Sequence, residues 1–326
     1  MNRRDALRYG MAAAVLAAGG GAAGQGVPPA AGALSLVVPD AAGSAADAVA
    51  RVLAPALSNA AGRPVTVSDR PGGHEVTGTA SVARAGPDGA IALLATGALA
   101  MNAALQPALP YDTRNALLPV ALVATAPYVL AAATTLPLDS VQDVIAIAKA
   151  NPGRLRYAAT GRGNAGHLVA EMLKSLATVQ LTPALYADNA AALADLAAGK
   201  VQLWFGRFDD VQPLVKSGKA RVIAVTGPRR LARLPDVPTM TEAGVPGFDV
   251  VQWFGLFVPA TTPKASVERL QADVRRALQV PEVREKLAAQ AGVEVAAGTG
   301  DALDALVARD IATWTKLARD MNLKVE

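Results

Sequence analysis

The sequence contains no cysteine. That excludes disulfides, thiolate metal sites, iron–sulfur clusters and cysteine nucleophiles. Aromatic residues make up only 4% of it, and there are two histidines, His74 and His167. A histidine-based metal site would need both, from distant parts of the chain, plus carboxylates. No metal site is therefore expected. No G-x-S-x-G elbow is present to seat a nucleophilic serine. No apolar run approaches the ~20 residues that cross a bilayer, so a polytopic membrane protein is excluded. A strong charge of one sign is also missing. The net charge is +4, and residues 1–30 hold Arg3, Arg4 and Arg8 against Asp5. The remainder carries 28 basic and 26 acidic residues, a net +2 that is too balanced for a nucleic-acid binder.

What is present is length and small apolar residues. At 326 residues and 52% hydrophobic, mostly Ala and Val, the chain is long enough for about two domains with real cores. Wholesale disorder is ruled out. The first thirty residues read as an address. Asn2 to Arg8 is a charged start, Met11 to Ala18 an apolar run, and Gly19 to Gly26 a stretch rich in Gly and Ala. This is the layout of an export signal. The pair Arg3-Arg4 followed by Leu7 resembles a twin-arginine signal, with Ala6 where that motif prefers Phe; an ordinary secretory signal is the alternative. Cleavage is expected between about residues 24 and 33, which puts the mature protein in the periplasm.

Beyond the signal the pattern alternates. Strands are expected at 34–38, 65–67, 91–95, 120–123, 128–133, 155–159, 179–186, 201–205, 221–226 and 253–258. Helices are expected at 45–58, 75–84, 141–150, 165–177, 189–198, 263–278, 281–291 and 301–321, with Pro55 a candidate kink in the first. Such alternation predicts an α/β protein with parallel sheets covered by helices. Two sheets fit the length better than one. Residues 34–125 plus 252–326 would form one lobe and 126–251 the other. Ligands of such sheets bind beyond the carboxyl ends of the strands, or in a cleft between lobes.

Two loops of that kind are short of side chains. The first runs through Pro39, Asp40, Ala41, Ala42, Gly43 and Ser44 to Asp47, between a strand and a helix. A helix start offers unpaired N–H groups to an anion, and Ser44 could add a hydroxyl or simply cap the helix. The second runs from Ala159 and Thr160 through Gly161, Arg162, Gly163 and Asn164 to His167. Residues 161–166 also spell G-x-G-x-x-G, with Asp188 about twenty residues on, the template of a dinucleotide site. An exported dinucleotide-binding oxidoreductase is thus a rival reading. Thr96 and Gly97, after the 91–95 strand, join the candidate set. So do Tyr186 and Asp188 at one strand end, and Phe205, Gly206 and Arg207 at another, where aromatic residues can wall a pocket and an Arg can pair with a carboxylate. Trp253 and Phe254 are read as packing between lobes, and the helix bearing Trp314 as a cover for one lobe.

Several stretches together resemble one family, the periplasmic solute receptors of tripartite tricarboxylate transporters, or Bug proteins. Pro39, Gly43, Asp47, Ala50 and Arg51 match its P-F-x-P-G-G-x-x-D-x-x-A-R segment. Asp69 to Gly73 resembles its N-R-P-G segment, Gly86 to Leu94 its P-D-G-Y-T-L-L, and Tyr157 to Gly161 with His167-Leu168 its Y-A-S-S-G…H-L. Leu234 to Thr239 and Glu242 to Phe248 resemble L-P-D-V-P-T…E-A-G-x-P-G-F, and Trp253 to Pro263 resembles W-x-G-L…P-x-G-T-P. The resemblance covers about residues 34–320. It implies a two-lobed periplasmic-binding-protein fold of the Venus-flytrap type (type II). It implies no enzymatic activity and no cofactor, a small carboxylate ligand (a di- or tricarboxylate, an acidic amino acid or an aromatic acid), and a two-component integral membrane permease served by a monomeric receptor. A receptor that signals to a sensor protein without transport is the other reading. The chain departs from the family at Ala42-Gly43-Ser44, at Tyr186-Ala187-Asp188 and at Phe205-Gly206-Arg207. Asp40 stands where the family prefers an aromatic or aliphatic residue, and a carboxylate there repels an anion unless it points away or meets a cation.

Overall fold

A computed structural model describes residues 32–323; the export-signal expectation lies outside them. The chain begins with β1 (Leu34–Val38), α1 (Ala45–Ala61), β2 (Val65–Asp69), α2 (Val76–Ala83), β3 (Ile91–Thr96), α3 (Ala98–Leu105) and the long β4 (Leu117–Pro127). It then enters a second sheet through β5 (Val129–Ala133), α4 (Val141–Ala150), β6 (Arg156–Ala159), α5 (Ala165–Ala177), β7 (Thr182–Leu185), α6 (Asn189–Ala197), β8 (Leu203–Gly206), α7 (Phe208–Lys216) and β9 (Ala220–Val225). It returns through β10 (Val251–Pro259), α8 (Lys264–Gln279) and α9 (Pro281–Lys286). A π-helical turn at Leu287–Ala291, β11 (Glu294–Thr299) and α10 (Gly300–Asp320) complete it.

The two sheets run β11-β4-β10-β3-β1-β2 and β7-β6-β8-β5-β9. They are mixed, which corrects the expectation of parallel sheets. β1 pairs in parallel with β2 and β3, and β6 with β7 and β8. The strands next to the crossings run the other way: β10 is antiparallel to β3 and β4, and β5 to β8 and β9. A chain that leaves one sheet for the other and comes back must reverse direction where it returns. Three expected-loop stretches also turn out to be ordered elements, namely α3, α7 and β11.

Alternation along the strands sends side chains to two helical layers. In the first sheet Leu34, Leu36, Val38, Phe254, Leu256 and Val258 pack on one side with α1 and α8 residues such as Leu53, Leu57 and Val274. Val37, Leu93, Trp253 and Phe257 face the other side, toward Leu99 of α3 and Leu303 and Trp314 of α10. That second core continues into the other sheet through Leu130, Tyr157, Leu168, Leu203 and Phe205. Trp253 is anchored there by its Nε1, which donates to Asp310 Oδ2 at 2.9 Å. α1 holds its course through Pro55, an exposed position where the lost N–H costs least.

The crossings are tied to each other. Thr226 is fully buried. Its Oγ1 accepts the Tyr128 N–H at 2.9 Å and donates to Val250 O at 2.7 Å. Its backbone bonds both neighbours as well, N–H to Tyr128 O and C=O from Val250 N–H. No helix among the described residues is long and apolar enough to cross a membrane.

Candidate functional site

At the crossings a cavity of about 420 Å³ opens, lined by residues that belong to both sheets. The first sheet contributes Pro39 and Asp40 after β1, Gly72, His74 and Glu75 before α2, Thr96 at the end of β3 with Gly97 after it, and Asn102 of α3 with Gln106 just beyond that helix. Tyr128 and Gln252 line it at the crossings. The second sheet contributes Thr160, Arg162, Gly163, Asn164 and Ala165. These are the segments beyond the carboxyl ends of parallel strands, where such folds place ligands.

The lobe-two loop is shaped from within. Gly161 has φ of +140°, a backbone that side chains rarely adopt. Asn164 caps α5: its Oδ1 accepts the His167 N–H at 2.9 Å, and its Nδ2 donates to Thr160 Oγ1 at 2.5 Å. His167 is buried, and its Nδ1 accepts the Gly163 N–H at 3.4 Å. Burial pushes the imidazole below its usual pKa, which suits a neutral acceptor. Behind it Glu171 takes the Tyr157 hydroxyl at 2.5 Å and pairs with Lys174 at 2.7 Å. His167 thus positions the loop and does not line the cavity. A Cβ on Gly166 would come within 2.9 Å of Phe205 O, so this third glycine lets α5 sit against β8.

On lobe one, Asn102 Nδ2 donates to His74 O at 2.7 Å and Thr96 Oγ1 donates to Glu75 Oε1 at 2.7 Å. Burial pushes the Glu75 carboxyl up to about 7, the Thr96 contact opposes this, and the nearby Asp40 charge adds to it.

Of the residues singled out in the sequence, Asp40, Thr96, Gly97, Thr160 and Asn164 line the cavity. Ala41, Ala42, Gly43, Ser44 and Asp47 do not. Their polar groups are used among themselves: Gly43 N–H donates to Asp47 Oδ2 at 2.7 Å and Ser44 Oγ accepts the Asp47 N–H at 3.2 Å. Asp47 also pairs with Arg51 at 2.6 Å, and these contacts hold its pKa low against the effect of burial. Ala159 and Phe205 are core. Gly161 falls between two lining residues without being one. Tyr186 donates to Asp195 at 2.9 Å, and Asp188 caps α6 through the Ala191 N–H at 2.8 Å. The carboxylate that a dinucleotide template would spend on a ribose is therefore engaged at a helix start. Gly206 lies against the Trp204 ring. Arg207 sits by Asp209 at a separate hollow with Phe208 and Gly292. Sequence reasoning passed over Glu75, Asn102, Gln106, Tyr128 and Gln252 as site residues. The Gly72-Gly73 pair and the strand-end rule applied to 97–106 were the available signals.

Two mixed sheets, each flanked by helices and joined by two tied crossings over a shared cavity, define the periplasmic-binding-protein class of two-lobed solute receptors. The model of the tripartite tricarboxylate transporter family receptor matches residues 49–323, and the chain belongs to that family. It is a family of solute receptors, not of enzymes. Protein BugT of Bordetella pertussis is 33% identical over 297 residues, covering 90% of each chain. Among solved structures, that of Rpa4515 of Rhodopseudomonas palustris with adipate is 31% identical with a TM-score of 0.77, covering 90% of this chain and 98% of that one. MatC of the same organism, with bound malate, is 29% identical with a TM-score of 0.73, covering 88% and 99%.

Proposed function

We propose that this chain is the extracytoplasmic receptor of a tripartite tricarboxylate transporter and captures a small organic acid in the cavity between its lobes. The observation that carries this is the composition of the cavity: donors and a cation from the lobe-two loop (Thr160, Arg162, Asn164) meet polar groups of lobe one across about 420 Å³, room for a small acid. The adipate and malate in two structural relatives support the ligand class. The signal read in residues 1–30 delivers the monomeric receptor to the periplasm, and a two-component membrane permease reads the liganded form.

The mechanism is capture by closure. A ligand favours the closed state only by touching both lobes at once. Closure then sheds water and strengthens every hydrogen bond to the anion. Asp40, Thr96 and Gly97 belong to the lobe-one face of this site and Thr160 and Asn164 to the lobe-two face. A thermal-shift screen of mono-, di- and tricarboxylates, amino acids and aromatic acids tests the reading. A ligand at ~100 times its dissociation constant adds about 2.7 kcal/mol and raises Tm clearly. No shift with any of these acids contradicts it.

A further inference from the structure

The cavity is electrically two-faced. Its lobe-two wall offers Arg162, which no carboxylate pairs among the described residues, and the start of α5. Its lobe-one wall offers two acids, Asp40 and Glu75. A plain organic anion is met well by the first wall and repelled by the second.

Glu75 is built into that wall at some cost. It ends a run of four residues with positive φ, Gly72 at 133°, Gly73 at 58°, His74 at 55° and Glu75 at 75°. The last two are side-chain-bearing residues held in the left-handed region that favours glycine. Its Oε1 is committed: Thr96 Oγ1 accepts the Ala98 N–H at 3.2 Å, so its own proton goes to Glu75. Its Oε2 is shut off from solvent and has no hydrogen-bond partner, although the residue lines the cavity and is part-exposed. A buried carboxylate oxygen without a donor is costly. The terminal torsion of a glutamate is soft, so rotation about it can turn Oε2 toward the cavity.

We propose that Glu75 is a specificity-determining residue whose Oε2 accepts a hydrogen bond from an ammonium group of the ligand, so that the receptor selects amino-substituted carboxylic acids over their plain counterparts. The carboxylate end lies on Arg162, Thr160 and Asn164, and the ammonium end on Glu75 with Asp40 beside it. This rests on the organic-acid reading above and narrows it. A cation at Oε2 also brings the raised Glu75 carboxyl back to its charged form, offsetting the effect of burial.

Calorimetric titration of the mature protein with matched pairs tests it: succinate with aspartate, glutarate with glutamate, pentanoate with 5-aminopentanoate. At least one ammonium-bearing acid is expected to bind tenfold or more tightly than its plain partner. In Glu75→Gln, which keeps an oxygen for Thr96, that ratio is expected to fall to within about threefold while the plain acid binds at least as well as before. The wild-type ratio stands on its own should the variant fold poorly. Plain acids that bind the wild type as tightly as their amino partners overturn the inference and leave the organic-acid reading standing, as does a preference that survives Glu75→Gln. If no acid of either kind binds, both fall.

Discussion

Single residues set the character of the cavity, and Glu75 most of all. Its carboxyl is raised to about 7 in the folded chain, against an ordinary value near 4.5. The folded state therefore holds this proton more tightly than the unfolded one. The contribution is most favourable below about 4.5, is lost as pH rises through 7, and stays lost above it. Glu75→Gln has no charge to bury. Ligand-free Glu75→Gln is expected to exceed the wild type in Tm at pH 8, by more than at pH 5, as thermal unfolding at the two pH values would show; a gap that does not depend on pH contradicts this. Nothing local in the sequence betrays this residue. It reads as the first position of a helix, and its position in the cavity depends on the two glycines before it and on Thr96, 21 residues away. Asp40 was legible, because a carboxylate in a small-residue loop after a strand stands out. Ser44 and Asp47 were legible as polar, but they bond within the start of α1 and do not line the cavity, because a helix start that caps itself spells the same letters as one that binds an anion.

Elements place these residues, and the lobe-two loop is the most exacting of them. The backbone of Gly161 is open only to glycine, while a Cβ there would meet nothing within 4 Å. The cost of Gly161→Val is thus conformational, and it falls on the loop that carries Thr160, Arg162 and Asn164. Far-UV circular dichroism is expected to stay native while affinity for the acid is lost; unchanged affinity removes the loop from the site. The crossing makes a separate claim. Thr226→Val deprives the Tyr128 N–H and the Val250 C=O of their side-chain partner inside a fully buried site. A loss of about 1–3 kcal/mol in denaturant unfolding is expected, with the slope unchanged; a loss under a few tenths of a kcal/mol would show that the clasp carries no load. Most elements could be read from pattern, and those that escaped have physical reasons. Residues 98–105 are apolar nearly all round, so no period marks α3. Pro213 reads as a breaker inside α7. β11, rich in Ala and Gly, pairs only with β4 through a bulge and has weak strand character.

At the scale of the molecule, two sheets share a continuous core and the cavity beside the crossings, and the protein's use follows from where these meet. The reversal of strands at the crossings was invisible to pattern, because direction is decided by which strands become neighbours. The central claim is that the space bounded by Glu75, Thr96 and Asn102 on one lobe and by Thr160, Arg162 and Asn164 on the other holds the ligand. A crystal structure with the acid that gives the largest thermal shift tests it most directly. The ligand is expected in that space, with its carboxylate on the 160–164 loop and contacts to both lobes. Density for the acid elsewhere, such as the groove of about 620 Å³ between α1, α8 and α9, with the space between the lobes filled by solvent alone, would contradict the account.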